Sequence, residues 1–95
     1  MTLDIKNNNI IVNGNLTEDK DFNAIKTAIE SVTEHHNSLI LKFYDTLVIN
    51  SSLIGYLVNT VNKKAIKVHI QTANDTLYEL IDYLGMNEMF NLQKI

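Results

Sequence analysis

The sequence predicts a single α/β domain in which helices pack on a mixed β-sheet, and three observations lead to this prediction. Short runs in which every second residue is apolar alternate along the chain with longer segments whose apolar residues recur at helical spacing. These segments follow the order β-β-α-β-α-β-α-(β), where the last, short element can be a strand. The chain has 95 residues, 45% of them hydrophobic, which is enough for one core of normal size. We therefore expect residues 1–95 to form one domain.

A hairpin is predicted at the start of the chain. Two short runs with alternating apolar residues flank the polar stretch Asn7–Asn9, and Gly14 ends the second run. The apolar residues of the two runs are Leu3, Ile5, Ile10 and Val12.

The first helix is predicted over Glu18–Glu34. Thr17 supplies a capping residue, and the acids that follow it suit the positive end of a helix dipole. The apolar residues recur at helical spacing and should form one buried face: Phe22, Ile25, Ala28, Ile29 and Val32.

Two further strands are predicted in the second half of the chain. Ser38–Phe43 is almost continuously apolar, which is typical of a strand near the centre of a sheet. Ala65–Gln71 follows, with Ile66, Val68 and Ile70 on one face.

The second helix joins these two strands. Its amphipathic pattern begins at Leu53 and ends at Lys63 and Lys64, where positive charge complements the dipole. Tyr56 should point away from the buried face, which is predicted to contain Leu53, Ile54, Leu57, Val58 and Val61.

The third helix is predicted to start at Asn74 or Asp75, and Gly85 should end it. Glu88–Ile95 could add a short strand or a helical turn. The predicted apolar side of this helix consists of Leu77, Leu80, Ile81 and Leu84.

Composition and charge exclude several classes of function. The net charge of −3, without a basic cluster, argues against a nucleic-acid partner and against anionic membranes. No apolar run approaches the roughly 20 residues that span a bilayer, so we expect no membrane insertion. The absence of cysteine excludes disulfides, thiol catalysis and zinc–thiolate sites. The N-terminus has no secretory pattern, and we expect a cytoplasmic protein.

Few side chains suggest catalysis or metal binding. His35 and His36 are adjacent, so on a helix they point about 100° apart and make a poor joint metal site. His69 should be a surface or edge residue of its strand. Asp45 is the one acid in the loop before the second helix, but one carboxylate does not make an active site. The glycines match no phosphate-binding pattern, so we expect no catalytic residue, no cofactor and no metal.

The segment Asn50–Gly55 is the most informative part of the chain. Ser51 and Ser52 lie between the apolar run Leu47–Ile49 and the start of the second helical pattern. A serine there can cap the helix through a backbone N–H, or it can carry a phosphate at the positive end of the dipole. The spacing alone is compatible with both interpretations, a capping serine and a regulatory serine.

Leu39–Phe90 resembles the STAS domain, the fold of bacterial anti-sigma factor antagonists. In that family a strand and a short loop lead into a D-S-S/T-G-L-G-type motif that opens a helix, and here the motif reads Asn50-Ser51-Ser52-Leu53-Ile54-Gly55. A second family feature, at the end of a later helix, is matched by Leu84-Gly85-Met86-Asn87-Glu88-Met89-Phe90. The element order agrees along essentially the whole chain.

The resemblance implies a regulatory binding module that is not an enzyme. Ser52 matches the phosphoacceptor, with Ser51 as the second choice. The partner would be a serine kinase that also acts as an anti-sigma factor, and a PP2C-type phosphatase would remove the phosphate. Apart from the resemblance, a homodimer is left open. The partner-binding residues that it implies are Asn50, Ser51, Leu53 and Tyr56.

Three residues depart from the family pattern, and two other functions are alternatives to the regulatory binding module. Asn50 replaces the usual Asp, Leu53 replaces a glycine, and Lys42 stands where the strand often ends in Asp. One alternative is a non-phosphorylated STAS subunit that docks on a transporter ATPase or another signalling complex. The other is a small hydrolase or ligand-binding enzyme that uses Asp45 and the two serines, although the sequence positions no base for it.

Overall fold

Five strands and three helices alternate along the chain in the predicted order. A computed structural model describes all residues from Met1 to Ile95. The elements are β1 (Thr2–Lys6), β2 (Asn9–Asn13), α1 (Asp19–Thr33), β3 (Ser38–Phe43), α2 (Ser51–Lys64), β4 (Lys67–Thr72), α3 (Asp75–Tyr83) and β5 (Gln93–Lys94).

The five strands form one mixed sheet in the order β1-β2-β3-β4-β5. β1 and β2 form the predicted antiparallel hairpin, and each later strand is parallel to the one before it. Every parallel connection contains one helix. Because such crossovers are right-handed and the sheet grows in one direction, the three helices pack on the same face.

The core lies between this face and the helices. Alternate residues of the three central strands are buried, whereas their neighbours on the opposite, open face are half-buried or exposed. The buried strand residues include Ile10, Val12, Leu39, Leu41, Phe43, Val68 and Ile70. The open face includes Ile11, Ile40, Lys42, His69 and Gln71. His69 therefore lies on the surface of the sheet but in an interior strand.

α1 matches its predicted bounds to within one residue at each end, but its cap differs. Glu18, not Thr17, holds the N-cap position. Asp21 explains this start, since its Oδ2 accepts hydrogen bonds from the backbone N–H groups of Thr17 (3.3 Å) and Glu18 (3.2 Å). The predicted apolar face is confirmed, with Phe22 only half-buried and Ile25, Ala28, Ile29 and Val32 buried.

The buried faces of α2 and α3 are narrower than predicted. In α2, Thr60 is buried whereas Val61 is half-buried, and the Thr60 hydroxyl is satisfied by donating to the Tyr56 carbonyl at 2.8 Å. Leu80 in α3 and Leu84 at its C-cap are exposed, because this short helix packs mainly on β4 and β5. Leu77 and Ile81 alone fill its buried side.

Left-handed residues mark the ends of two elements. Ala65, predicted to begin a strand, instead closes α2 with φ +54°, and β4 begins at Lys67. Gly85 follows α3 with φ +73°, which confirms it as the residue that ends this helix. The tail contains turns and the short β5, so both predictions for it hold in part. None of the helices is both long and apolar enough to cross a membrane.

Candidate functional site

The start of α2 is capped by Asn50 and not by a serine. Asn50 has extended backbone angles, and its Oδ1 accepts a hydrogen bond from the Leu53 backbone N–H at 3.0 Å. Ser51 and Ser52 are therefore the first two residues of the helix itself. This corrects the capping interpretation of the serines: the helix begins at Ser51, two residues before the start at Leu53 that a Ser52 cap would require, and Asn is at least as good a cap as Ser.

Both serines are exposed in the first turn of α2. The Asn50 side chain satisfies one backbone N–H there, and the hydroxyls of Ser51 and Ser52 form no hydrogen bond within the chain. No acidic residue lies in this turn, although a helix N-terminus favours negative charge. The position is thus open to solvent and electrostatically suited to an added anion.

The loop before α2, residues 44–50, is tied to the loop that follows β2. Asp45 Oδ1 accepts a hydrogen bond from the Gly14 backbone N–H at 2.7 Å, and the Thr46 hydroxyl donates to the Gly14 carbonyl at 2.6 Å. Thr46 is fully buried. Asp45, predicted to lie in the approach to the serines, therefore has a structural partner. Gly14 adopts φ +96°, and a Cβ there would lie 3.0 Å from Met1 Cα.

A second set of hydrogen bonds fixes the middle of the same loop. Asn15 Oδ1 accepts from the backbone N–H groups of Leu47 at 2.7 Å and Val48 at 3.2 Å. The Leu16 N–H in turn donates to the Val48 carbonyl at 3.1 Å, and Leu16 is fully buried. The loop is consequently held in one conformation by contacts with residues about 32 positions away in the chain.

Three apolar side chains of this loop face solvent. Tyr44, Leu47 and Val48 are 47%, 45% and 50% exposed, whereas Ile49 turns into the core. We call Tyr44, Leu47 and Val48 the loop patch. Sequence reasoning misses this patch, because the run Leu47–Ile49 indicates only the approach to the helix. The signal that could reveal it is the run of three consecutive apolar residues outside a strand, because their side chains point in different directions and cannot all enter the core.

Leu53 is fully buried in the core. This corrects the prediction that its side chain binds a partner. Leu53 and Leu57 lie one turn apart on the same side of α2, and both face the sheet. The competing prediction, that Leu53 marks the buried face, is confirmed.

Tyr56 lies one turn into α2 and packs against α1. Its ring meets the Phe22 ring edge-on at a centroid distance of 6.1 Å, and the Nζ atoms of Lys26 and Lys64 lie 5.8 and 5.7 Å from its centroid. The buried Tyr56 hydroxyl has no hydrogen-bond partner. Burial raises the pKa of this phenol above its ordinary value, and the negative charge of Glu30 adds to that effect. A partner contact at Tyr56 stays a prediction.

The remaining ionisable residues form no comparable site. His35 and His36 are exposed just beyond the end of α1, and no group of three or more His, Cys, Asp or Glu side chains could hold a metal ion. Two open depressions, of about 330 and 500 Å³, both lie at the C-terminal end of α1. Thr33, Glu34 and Ile66 line both of them, and neither includes a serine or the loop patch.

Comparisons with known proteins add no relative. No family model, no curated protein and no solved structure matches this chain.

Proposed function

We propose that this protein is a regulatory protein-binding module of the STAS type, resembling bacterial anti-sigma factor antagonists. Its partner would be a serine kinase that is also an anti-sigma factor, and phosphorylation of Ser52 would switch the association. One observation carries the proposal: two exposed hydroxyls in the first turn of α2 follow a loop that exposes three apolar side chains. The order of strands and helices is the order that the resemblance implies.

The position of Ser52 constrains the kinase. Ser52 is the second residue of a regular helix and not part of an extended segment. A kinase must therefore recognise the folded domain around the hydroxyl or unwind the first turn. The loop patch offers apolar contact area in the segment that leads to the serine, and hydrogen bonds between residues 45–48 and Gly14 and Asn15 keep this loop in place. Such a preorganised surface favours a kinase that binds the folded domain over a kinase that recognises a short peptide sequence.

A phosphate at Ser52 would leave the fold intact and change the surface. It would add about −1.5 to −2 charges at neutral pH, at a helix end that favours anions. In a docked complex, however, the same charge would have to lose water beside the apolar loop patch. Docking would then be opposed by desolvation and by any negative group of the partner.

Two departures from the family motif fit this proposal. Leu53 stands in place of a glycine but is fully buried, so it adds no bulk to the surface. Asn50 stands in place of Asp and supplies the helix cap that a carboxylate would otherwise supply. Lys42 lies half-buried on the open face of the sheet.

A second candidate is a non-phosphorylated STAS subunit that docks on a transporter ATPase or another signalling complex. The observation that favours it is the same Asn50, because an amide lacks the charge that a carboxylate offers for orienting a kinase. In this case the loop patch would bind the partner permanently, and Ser52 would have no regulatory role.

Phosphorylation by the kinases encoded near the gene tests the proposal directly. We expect the folded protein and ATP to give one phosphopeptide with the label on Ser52. Ser52→Ala should abolish labelling, whereas Ser51→Ala should keep it. A peptide with the sequence of residues 44–58 should be a poor substrate, because it lacks the folded surface. Label confined to Ser51 or to a threonine would contradict the residue assignment, and a PP2C-type phosphatase should reverse the correct modification.

Titration calorimetry against the isolated partner tests the switch. Ser52→Asp should lower the affinity by roughly 30-fold to several thousand-fold, towards the lower end because Asp carries less charge than phosphate. Thr76→Asp is the matched control, since Thr76 is the exposed second residue of α3 and lies in a helix start capped by Asn74. It should bind like the parent. Equal affinities of Ser52→Asp and the parent would contradict the switch and favour the permanent subunit.

A further inference from the structure

β1 forms an edge of the sheet that nothing in the chain covers. It pairs only with β2, whereas α1 packs over β2 and β3. Four of its five residues are exposed, and Leu3 is half-buried. The strand contains no proline. An uncovered edge of this kind offers unpaired backbone N–H and C=O groups to another strand.

The register identifies which groups are unpaired. The Ile40 N–H donates to the Asn8 carbonyl at 2.9 Å, so the backbone groups of Asn8 and Ile10 are directed towards β3. Those of Asn9 and Ile11 are then directed towards β1, where they face Lys6 and Asp4.

The backbone groups of successive residues in β1 point alternately towards β2 and away from it, and this identifies the residues whose N–H and C=O groups are unpaired. Because Asp4 and Lys6 direct their backbone groups inwards to β2, Leu3 and Ile5 direct theirs outwards. Two N–H donors and two C=O acceptors thus line the free edge.

We propose that a second copy of this chain pairs with the edge, with β1 antiparallel to β1 around a two-fold axis at Ile5. The two five-stranded sheets would then join into one continuous sheet. The Ile5 N–H and C=O would each bond to Ile5 of the second copy. This inference concerns a surface separate from the Ser52 site and does not depend on the proposed function.

The charges of β1 select this register. With Ile5 opposite Ile5, Asp4 of each copy lies opposite Lys6 of the other, on the open face of the sheet. The ion pairs within the chain join Glu18 to Lys20 and Asp75 to Lys94, so Asp4 and Lys6 have no ionic partner of their own. A shift to the neighbouring allowed register would place Asp4 opposite Asp4, which is unfavourable.

Ile5 provides the apolar contact. It is 44% exposed, and it lies beside the fully buried Ile10 on the helix face, where α1 packs mainly on β2 and β3. Pairing would cover it with Ile5 of the second copy. So short a strand pair buries less than the roughly 800 Å² per partner of a standard interface. We therefore expect a weak dimer that forms as the protein concentration rises.

Sedimentation velocity between about 10 μM and about 1 mM tests this. The parent should shift from monomer to dimer. Ile5→Pro should stay monomeric with little change in melting temperature, because it removes only an outward N–H. Ile5→Val keeps that N–H and should still dimerise. A parent that is monomeric throughout, or a dimer that persists in Ile5→Pro, would overturn the proposal.

Charge reversal tests the register. Asp4→Lys and Lys6→Asp should each weaken the dimer by about 5- to 30-fold, since two opposite-charge pairs become like-charge pairs. The double variant restores opposite charges across the axis and should recover dimerisation to near the parent value. Failure of the double variant to recover, while its melting temperature equals that of the parent, would overturn the register.

Discussion

Four consecutive residues at the start of α2 have three different roles. Asn50 caps the helix, Ser51 and Ser52 face solvent, and Leu53 fills the core. A substitution at Ser52 therefore tests the surface role without disturbing the cap or the core. Ser52 and Leu53 differ most in burial, because Ser52 is exposed to solvent and its neighbour Leu53 is fully buried in the core.

Leu53→Asp should unfold the domain. A carboxylate at a fully buried position without a partner costs several kcal/mol, which is a large part of the roughly 5–15 kcal/mol that stabilises a domain of this kind. Ser52→Asp is the control and should change stability by no more than about 1 kcal/mol, because its charge suits the helix end. Thermal melting followed by circular dichroism distinguishes them. A cooperative melt of Leu53→Asp near the parent temperature would show that the side chain reaches solvent.

At the scale of elements, regular structure was predictable and the contacts between loops were not. β3 was predicted with its observed bounds and α1 to within one residue, because local apolar periodicity determines both. The bonds from Leu47 and Val48 to Asn15 join residues 32 and 33 positions apart, and no local pattern encodes them. The cap of α2 was also unpredictable, since Asn and Ser cap helices about equally well.

Asn15→Ala should loosen the loop before α2. It removes the acceptor for two backbone N–H groups, and water can replace it, so the free energy of unfolding should fall by only about 0.5–1.5 kcal/mol. Hydrogen exchange at the Leu47 and Val48 amides should become clearly faster. Asn13→Ala is the matched control, because Asn13 is exposed at the end of β2 and its side chain makes no hydrogen bond. Unchanged exchange at Leu47 in the Asn15 variant would contradict the role of this side chain.

At the scale of the whole molecule, the mixed sheet was predictable from the β-α-β order, whereas the extent of each buried helix face was not. Periodicity assigned Leu80 and Leu84 to the apolar side of α3, but they are exposed because α3 sits at one end of the sheet. The position of each helix depends on how all three helices pack together on the sheet, and local periodicity does not determine it. Tyr56, held between α1 and α2, belongs to that layer too.

Tyr56 should make the stability of the domain fall at alkaline pH. Its pKa is raised in the folded state by burial and by Glu30, so the folded form resists loss of the phenolic proton. The stabilisation is therefore complete below the unfolded pKa of about 10 and is lost as the pH rises through the higher folded value. Tyr56→Phe should remove this part of the alkaline loss and be at least as stable as the parent at neutral pH, because the hydroxyl has no partner.

Urea unfolding at neutral and alkaline pH measures this difference. Tyr83→Phe is the control, since Tyr83 is 87% exposed and should leave the pH dependence unchanged. A Tyr56→Phe variant that is less stable than the parent at neutral pH would show that the hydroxyl does have a hydrogen-bond partner.

The strand order has a consequence for how the protein is made. Each strand pairs with the strand that precedes it in the chain, and none inserts between two strands already formed. As the polypeptide leaves the ribosome, every new strand and helix can add to the growing end of a sheet that is already present. The chain can therefore fold in the order of its synthesis, because the partner of every strand after β1 has already been made when that strand emerges.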